Sequence, residues 1–442
     1  MTQLTAHPGA AAASHAPHAY PELRGDNIAP PSAAKGLAGV FLVVGLAGLG
    51  ATVAGGMAAG KPLQALAAYH VGACMALTMS LGCMFLVMVF HLTSAGWAST
   101  IRRQCENVMA LVPWCGLMVV IGIVIDTMMG KSGDRQLWSW LNDANAHNTL
   151  LQEKAGFLNP KFFAIRALVY LAVWTVLSRA LLSLSIRQDR GPDVSLNARA
   201  RRMSSWGVLL FALTVAFASF DWLMSLDFTF FSTMWGVYFF AGSAYSGVAL
   251  TIIICAWLRR QGKLQGVVTS EHFHDIGKLL LVFTVFWTYV AFSQYFLIWY
   301  SNIPEETAFF NARVPSPHEP NGPIVANNWV YVGALLCIMH FALPFPILLF
   351  RGVKQRYMLL TVMAVLALVA HFIDLFWIVR PIVYPGNVED PIGLSSWWID
   401  AAGVTGVLGV FGFLVMRRIS SGPLVAVNDA WIDEAMHHKN YV

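Results

Sequence analysis

The sequence predicts an all-α polytopic membrane protein of about ten transmembrane helices, and three observations carry that reading. Of the 442 residues 57% are hydrophobic and only 12% are charged, against about 25% charged in an ordinary soluble domain. The apolar residues gather into separate runs long enough, at 1.5 Å per residue, to cross a ~30 Å hydrocarbon core. Lys and Arg then collect on alternate connections between those runs. The formal net charge of +5 is therefore a matter of position along the chain, not a nucleic-acid signal.

Residues 1–34 are rich in Ala, Pro and His and hold no apolar run, so they read as a disordered cytoplasmic tail without a secretory signal. His7, His15 and His18 could bind a metal, but a disordered tail is the simpler reading. Spans follow at about 36–58, 65–91, 106–129, 161–186, 204–226, 232–258, 276–301, 324–350, 357–379 and 396–417. Frequent Gly in the first favours close helix packing. The longest connections, 130–160 and 302–323, hold Pro or Gly with several polar residues, and a short polar tail follows residue 417.

The seventh span is the most explicit. A polar start (His272, His274, Asp275, Lys278) leads into an apolar run that ends in the interfacial aromatics Trp299 and Tyr300 and breaks at Pro304. Thr284, Thr288, Ala291 and Tyr295 recur at i, i+4, i+7 and i+11, which predicts a stripe facing a neighbouring helix.

Orientation follows from the basic residues. Nineteen Lys and Arg lie on the side shared by both termini and the even-numbered connections, among them Arg102, Arg103, Arg187, Arg199 and Arg202, against seven on the other side. Both termini are therefore expected in the cytoplasm. Arg166 and Arg179 fall within the fourth span.

Ionisable side chains in a bilayer cost roughly 2.5 kcal/mol or more, so each is a functional candidate. His70, Asp126, Arg166 and Asp221 place one such group on each of spans two to five, at a shallow depth on the outer side. The plain alternative is a salt-bridge network that ties the helices together. In the second half His371 and Asp374 are three residues apart and share a helix face. A carboxylate beside an imidazole can pass protons or hold a quinol hydroxyl. Gln294, Asn327, Asn328 and Tyr331 are expected near the same outer level, with His340 deeper. A lone intramembrane His also serves as a hydrogen-bonded packing residue.

No cofactor-ligand motif is present. The six cysteines form no CxxC, CxxCH or iron–sulfur spacing and read as small buried hydrophobes. A b-type cytochrome needs His pairs at matched depth, whereas His70 and His91 are 21 residues apart on one span, about 31 Å.

The SFDWLMSLD stretch at 219–227, HDIGKL at 274–279 and FWTYVAFSQYFLIWYSNIPEE at 286–306 resemble the second polysulfide-reductase-type (NrfD-like) membrane subunit of alternative complex III, a bacterial quinol:cytochrome c oxidoreductase. The resemblance implies two four-helix bundles, helices 2–5 within residues 35–231 and helices 6–9 within 232–417, flanked by helices 1 and 10, with a cytoplasmic tail at 418–442. It implies a place in the bacterial cytoplasmic (inner) membrane. The implied partners are a paralogous NrfD-like subunit, an iron–sulfur subunit, multihaem and monohaem cytochromes c on the periplasmic face, and in some assemblies a terminal oxidase. The implied small molecule is a quinol, menaquinol or ubiquinol, handled mainly by the paralogue, with a supporting or proton-conducting role here. From a different class, a secondary transporter is the alternative. Pro344 and Pro346 in span eight are the candidates for the broken helix that such proteins use.

Overall fold

The computed structural model describes residues 23–131, 136–314, 316–317, 324–325, 327–384 and 394–440. Ten helices are long and apolar enough to cross a membrane, and the chain is an all-α polytopic membrane protein. They are α1 (Ala33–Ala58), α2 (Pro62–Leu92), α3 in two pieces (Ser99–Met109 and Val112–Lys131), α4 (Pro160–Gln188) and α5 (Val194–Trp222). The second half holds α6 (Trp235–Arg260), α7 (Ser270–Ser301), α8 (Trp329–Leu349), α9 (Tyr357–Val383) and α10 (Trp397–Ile419). A two-residue strand pair, Ser316–Pro317 with Ile324–Val325, lies in the α7–α8 connection.

Local chemistry sets several of the ends. Pro62 and Pro160 occupy first-turn positions of α2 and α4, where a missing N–H costs nothing. The Asn159 and Asp193 side chains cap α4 and α5 by accepting from the Phe162 and Ser195 amides at 2.9 and 2.8 Å. Thr269 and His272 form a reciprocal cap on α7, which ends where Asn302 turns left-handed at φ 47°.

The packing is two rings of four. Helices α2, α3, α4 and α5 touch in sequence and close α5 onto α2, and α6 to α9 do the same. The rings join through α2, which packs on both α6 and α9 and is buried along almost its whole length. Helices α1 and α10 pair with each other and lean on α2. Small residues permit that pairing. A Cβ on Gly48 would lie 2.7 Å from Gly406 Cα, and one on Gly409 would lie 2.5 Å from Gly45 Cα.

Both described ends of the chain and the even-numbered connections lie at one end of the bundle, here the termini end. The Leu264 amide donates to Asn27 O and the Leu424 amide to Ile28 O, which ties the α6–α7 turn, the start of the chain and the C-terminal segment together. The opposite end is the far end.

Four expectations need correction. Residues 23–34, assigned to a disordered tail, are ordered, with a helical turn at Gly25–Ile28 and Ile28 buried; residues 1–22 lie outside the described residues. The segment after α10 is packed rather than a loose tail, and Leu424, Val425, Ala426 and Asp429 are buried. Helix α7 is rotated from the expected stripe. Its buried face runs through Thr284, Trp287, Val290 and Gln294, while Tyr295 is exposed. Cys337 is exposed, unlike the other five cysteines.

Candidate functional site

In the first ring, α5 brings Asp221 to the far end, where Arg166 of α4 grips it with two bonds, Nε to Oδ2 at 2.8 Å and Nη2 to Oδ1 at 2.6 Å. The Tyr170 hydroxyl donates to the same Oδ2 at 2.7 Å. The Arg166 guanidinium also lies on the Phe157 and Phe162 rings, 3.8 and 4.3 Å from their centroids. His70 donates from Nε2 to Trp222 O at 2.8 Å, and its ring meets Trp138 edge-on at 4.9 Å. Trp138 in turn donates from its indole to Asp221 O at 3.1 Å.

Asp126 departs from expectation. It makes no contact with Arg166 among the described residues; its carboxylate receives the Leu137 and Trp138 amides at 2.6 and 3.2 Å. It anchors the α3–α4 connection over the ring instead of joining the ion pair. The four residues are thus brought to one region, in separate tasks. Each oxygen of Asp221 and Asp126 accepts at least one internal donor, and His70 Nδ1 is buried without a hydrogen-bond partner among the described residues.

The second ring holds a deeper group. Thr78, His371 and His340 lie near the middle of α2, α9 and α8, the depth expected for His340. His371 Nε2 and Thr78 Oγ1 are 2.9 Å apart, and the Thr78 hydroxyl is also 3.0 Å from Met75 O. With the Thr78 hydrogen on Met75 O, Nε2–H donates to Thr78 and Nδ1 carries a lone pair; with it on Nε2, Nδ1 carries the hydrogen. Nδ1 has no protein hydrogen-bond partner among the described residues and stands 3.9 Å from Asp374 Oδ2.

Asp374 Oδ1 accepts from the Tyr238 hydroxyl of α6. His371 and Asp374 therefore share a face as the spacing implied but do not hydrogen-bond. Tyr238 draws the carboxyl one way and Thr78 draws the imidazole the other. Gly242 makes room for the ring, since a Cβ there would lie 2.8 Å from His371 Cε1.

His340 sits in a π turn at Ile338–Ala342 that interrupts α8. Its ring is stacked between Trp287 and Tyr245, with centroids at 3.6 and 4.3 Å. Neither ring nitrogen has a hydrogen-bond partner on another described residue. Gln294 is buried two turns along α7 from Trp287, and no described contact joins it to His371 or Asp374. Asn327 bonds Ala312 O at 2.8 Å, which holds the α7–α8 connection, and Tyr331 points outward at 71% exposure. Asn328 is half-buried in the last residues before α8.

Two buried ionic groups were not legible in the sequence. At the termini end Arg102 pairs with Glu106 at 3.1 Å and with Asp429 of the C-terminal segment. Arg103 pairs with Glu106 at 3.4 Å and Asp189 at 2.7 Å. At the far end Arg380 pairs with Asp400 at 3.0 Å, and Gln64 donates to the same carboxylate at 2.7 Å, which clips α9 to α10 and α2. Among the described residues no set of three metal-ligating side chains comes together.

The chain matches no protein-family model and no curated protein sequence. The family resemblance therefore rests on the motifs of spans five and seven.

Proposed function

We propose that the chain is an integral membrane subunit of a respiratory quinol:electron-acceptor oxidoreductase complex of the alternative complex III type, and that its own chemistry is proton handling at Asp374, His371 and Tyr238. The observation that carries the proton role is the buried His371 Nδ1, without a hydrogen-bond partner among the described residues, facing Asp374 Oδ2 across 3.9 Å. When Asp374 is protonated on Oδ2 and Nδ1 carries the lone pair, a small side-chain rotation brings that O–H within reach of Nδ1. The proton then moves from oxygen to nitrogen, leaving a carboxylate that keeps the Tyr238 bond and an imidazolium that keeps the Thr78 bond. Reversal reloads the pair, and the charges created remain adjacent to each other, which limits their cost in the bilayer.

Quinol oxidation belongs in this reading to the paralogous subunit, with the iron–sulfur subunit and the cytochromes c as electron carriers. The termini end then faces the cytoplasm of the bacterium and the α7–α8 connection faces the periplasm. A cysteine at Ser316 should react with an impermeant probe in intact cells; labelling only after permeabilisation would reverse the orientation.

One observation favours the transporter reading: α8 is interrupted at mid-length by the π turn ahead of Pro344. Copurification separates the two. Affinity capture of the tagged chain from membranes in mild detergent should bring down haem-stained cytochromes in fixed ratio. Capture of the chain alone, with solute uptake in vesicles, would favour the transporter.

A further inference from the structure

We propose that the outward face of the α4–α5 hairpin, at the termini end, binds an anionic phospholipid whose phosphate is held by Arg179 and Arg202. The hairpin carries six exposed arginines, Arg179, Arg187 and Arg190 from α4 and its turn and Arg199, Arg201 and Arg202 from α5. None of the six forms an ion pair among the described residues. Of the neighbouring acids, Asp189 pairs with Arg103, and Asp193, which caps α5 through the Ser195 amide, interacts by charge with Arg187 and Arg199 and not with Arg179 or Arg202.

Arg187, Arg190 and Arg199 need no ligand, because they lie within about five residues of the hairpin turn, where water reaches them. Arg179 is different. It lies nine residues before the end of α4 at Gln188, about 13 Å along the axis. If the ~43 Å helix is centred on a ~30 Å hydrocarbon layer, Arg179 is roughly 7 Å inside the layer. It is exposed there, on the same face as Val176, which is 66% exposed. A lone guanidinium at that depth must snorkel toward the headgroups.

The helix register shows what it meets. Gln188 bonds Asn197 at 2.9 Å, and a Cβ on Gly207 would lie 3.1 Å from Leu177 Cδ2. The pairing sets Arg179 level with Ser205 and Trp206, one turn from Arg202. Arg199, Arg202 and Trp206 recur at i, i+3 and i+7 and share a face, with Trp206 72% exposed. The result is an exposed guanidinium inside the layer with Arg202 and Arg199 one and two turns nearer the headgroups. Trp206 is exposed at the level of Arg179, and Leu209, Leu210 and Leu213 are exposed deeper, for acyl chains. Guanidinium pairs recognise phosphate oxygens by charge and by forked geometry. No carboxylate faces them from either helix within the layer, so the surface is complementary to an anionic headgroup and not to a zwitterionic one.

The test is native mass spectrometry of the purified full-length chain, delipidated and titrated with dioleoylphosphatidylglycerol or dioleoylphosphatidylcholine. The wild type should retain phosphatidylglycerol in preference to phosphatidylcholine. Arg179→Gln should weaken that retention roughly fivefold, and the Arg179→Gln/Arg202→Gln pair about 25-fold. Arg260→Gln, at the same end on another face, should change it little. All these side chains are exposed, and unchanged thermal midpoints in detergent would show that the variants fold. Equal retention of both lipids by the wild type, or of phosphatidylglycerol by the double variant, would overturn the proposal. So would crosslinks from position 179 to a partner helix rather than to lipid in native membranes.

Discussion

Gly82 of α2 and Gly247 of α6 stand backbone to backbone. A Cβ on Gly82 would lie 1.9 Å from Ser243 O and 3.0 Å from Gly247 Cα, and one on Gly247 would lie 2.6 Å from Gly82 C. This contact lets the two rings approach closely enough for Thr78 of one to reach His371 of the other. Gly82→Ala cannot be absorbed by a side-chain shift, because the obstacle is main chain. It should cost about 3 kcal/mol or more through forced separation of α2 and α6. A thermal midpoint in detergent equal to that of the parent would show that the helices are not held this closely.

Arg166 and Asp221 make a buried, bidentate pair beneath two phenylalanine rings. Asp221→Asn leaves the guanidinium without its counter-charge and should cost about 3–5 kcal/mol, whereas replacing both residues with Leu should cost less than either single change. Tyr170→Phe should cost about 1–3 kcal/mol. A double-mutant cycle on thermal stability measures this. Additive single effects would mean the two side chains act independently.

The C-terminal segment is held to α3 by charge, and its pH dependence has a definite sign. Burial raises the Asp429 carboxyl, but Arg102 and the Trp431 amide outweigh it and hold the group below its ordinary value of 3.8. A depressed folded pKa contributes stability that is present above that ordinary value and lost as pH falls through the folded one. Burial leaves Asp189 raised despite Arg103, so its protonation on acidification relieves a cost and adds nothing to release. Amide exchange in residues 424–432, corrected for intrinsic rates, should stay protected from about pH 8 to 5 and lose protection below about pH 4. Loss already at about pH 6 would assign the hold to other groups.

The fold was legible because membrane crossing demands long apolar runs, and the ring partners follow from short connections between neighbours. The His371–Asp374 face was legible from helical spacing. What they bond to was not, because Thr78 is 293 residues away and a threonine in an apolar run carries no signal of its own. The Arg102–Asp429 group was missed for a related reason. Charges at the edge of a span read as interface anchors, and the acid that buries these lies 327 residues on, in what looked like a tail. Asp126 was grouped with Arg166 by depth alone. Depth places residues on a level but cannot tell an ion pair from a loop anchor.

The most direct measurement of the central claim compares Asp374→Asn and His371→Ala assemblies with the parent in reconstituted vesicles. Quinol turnover and pH change are recorded together, per assembled complex. Asp374→Asn should give normal amounts of complex, with turnover or proton translocation reduced at least tenfold, because an amide has no acidic proton to deliver to His371 Nδ1. Both variants assembling, turning over and translocating protons like the parent would contradict it, as would a loss confined to the amount of complex assembled.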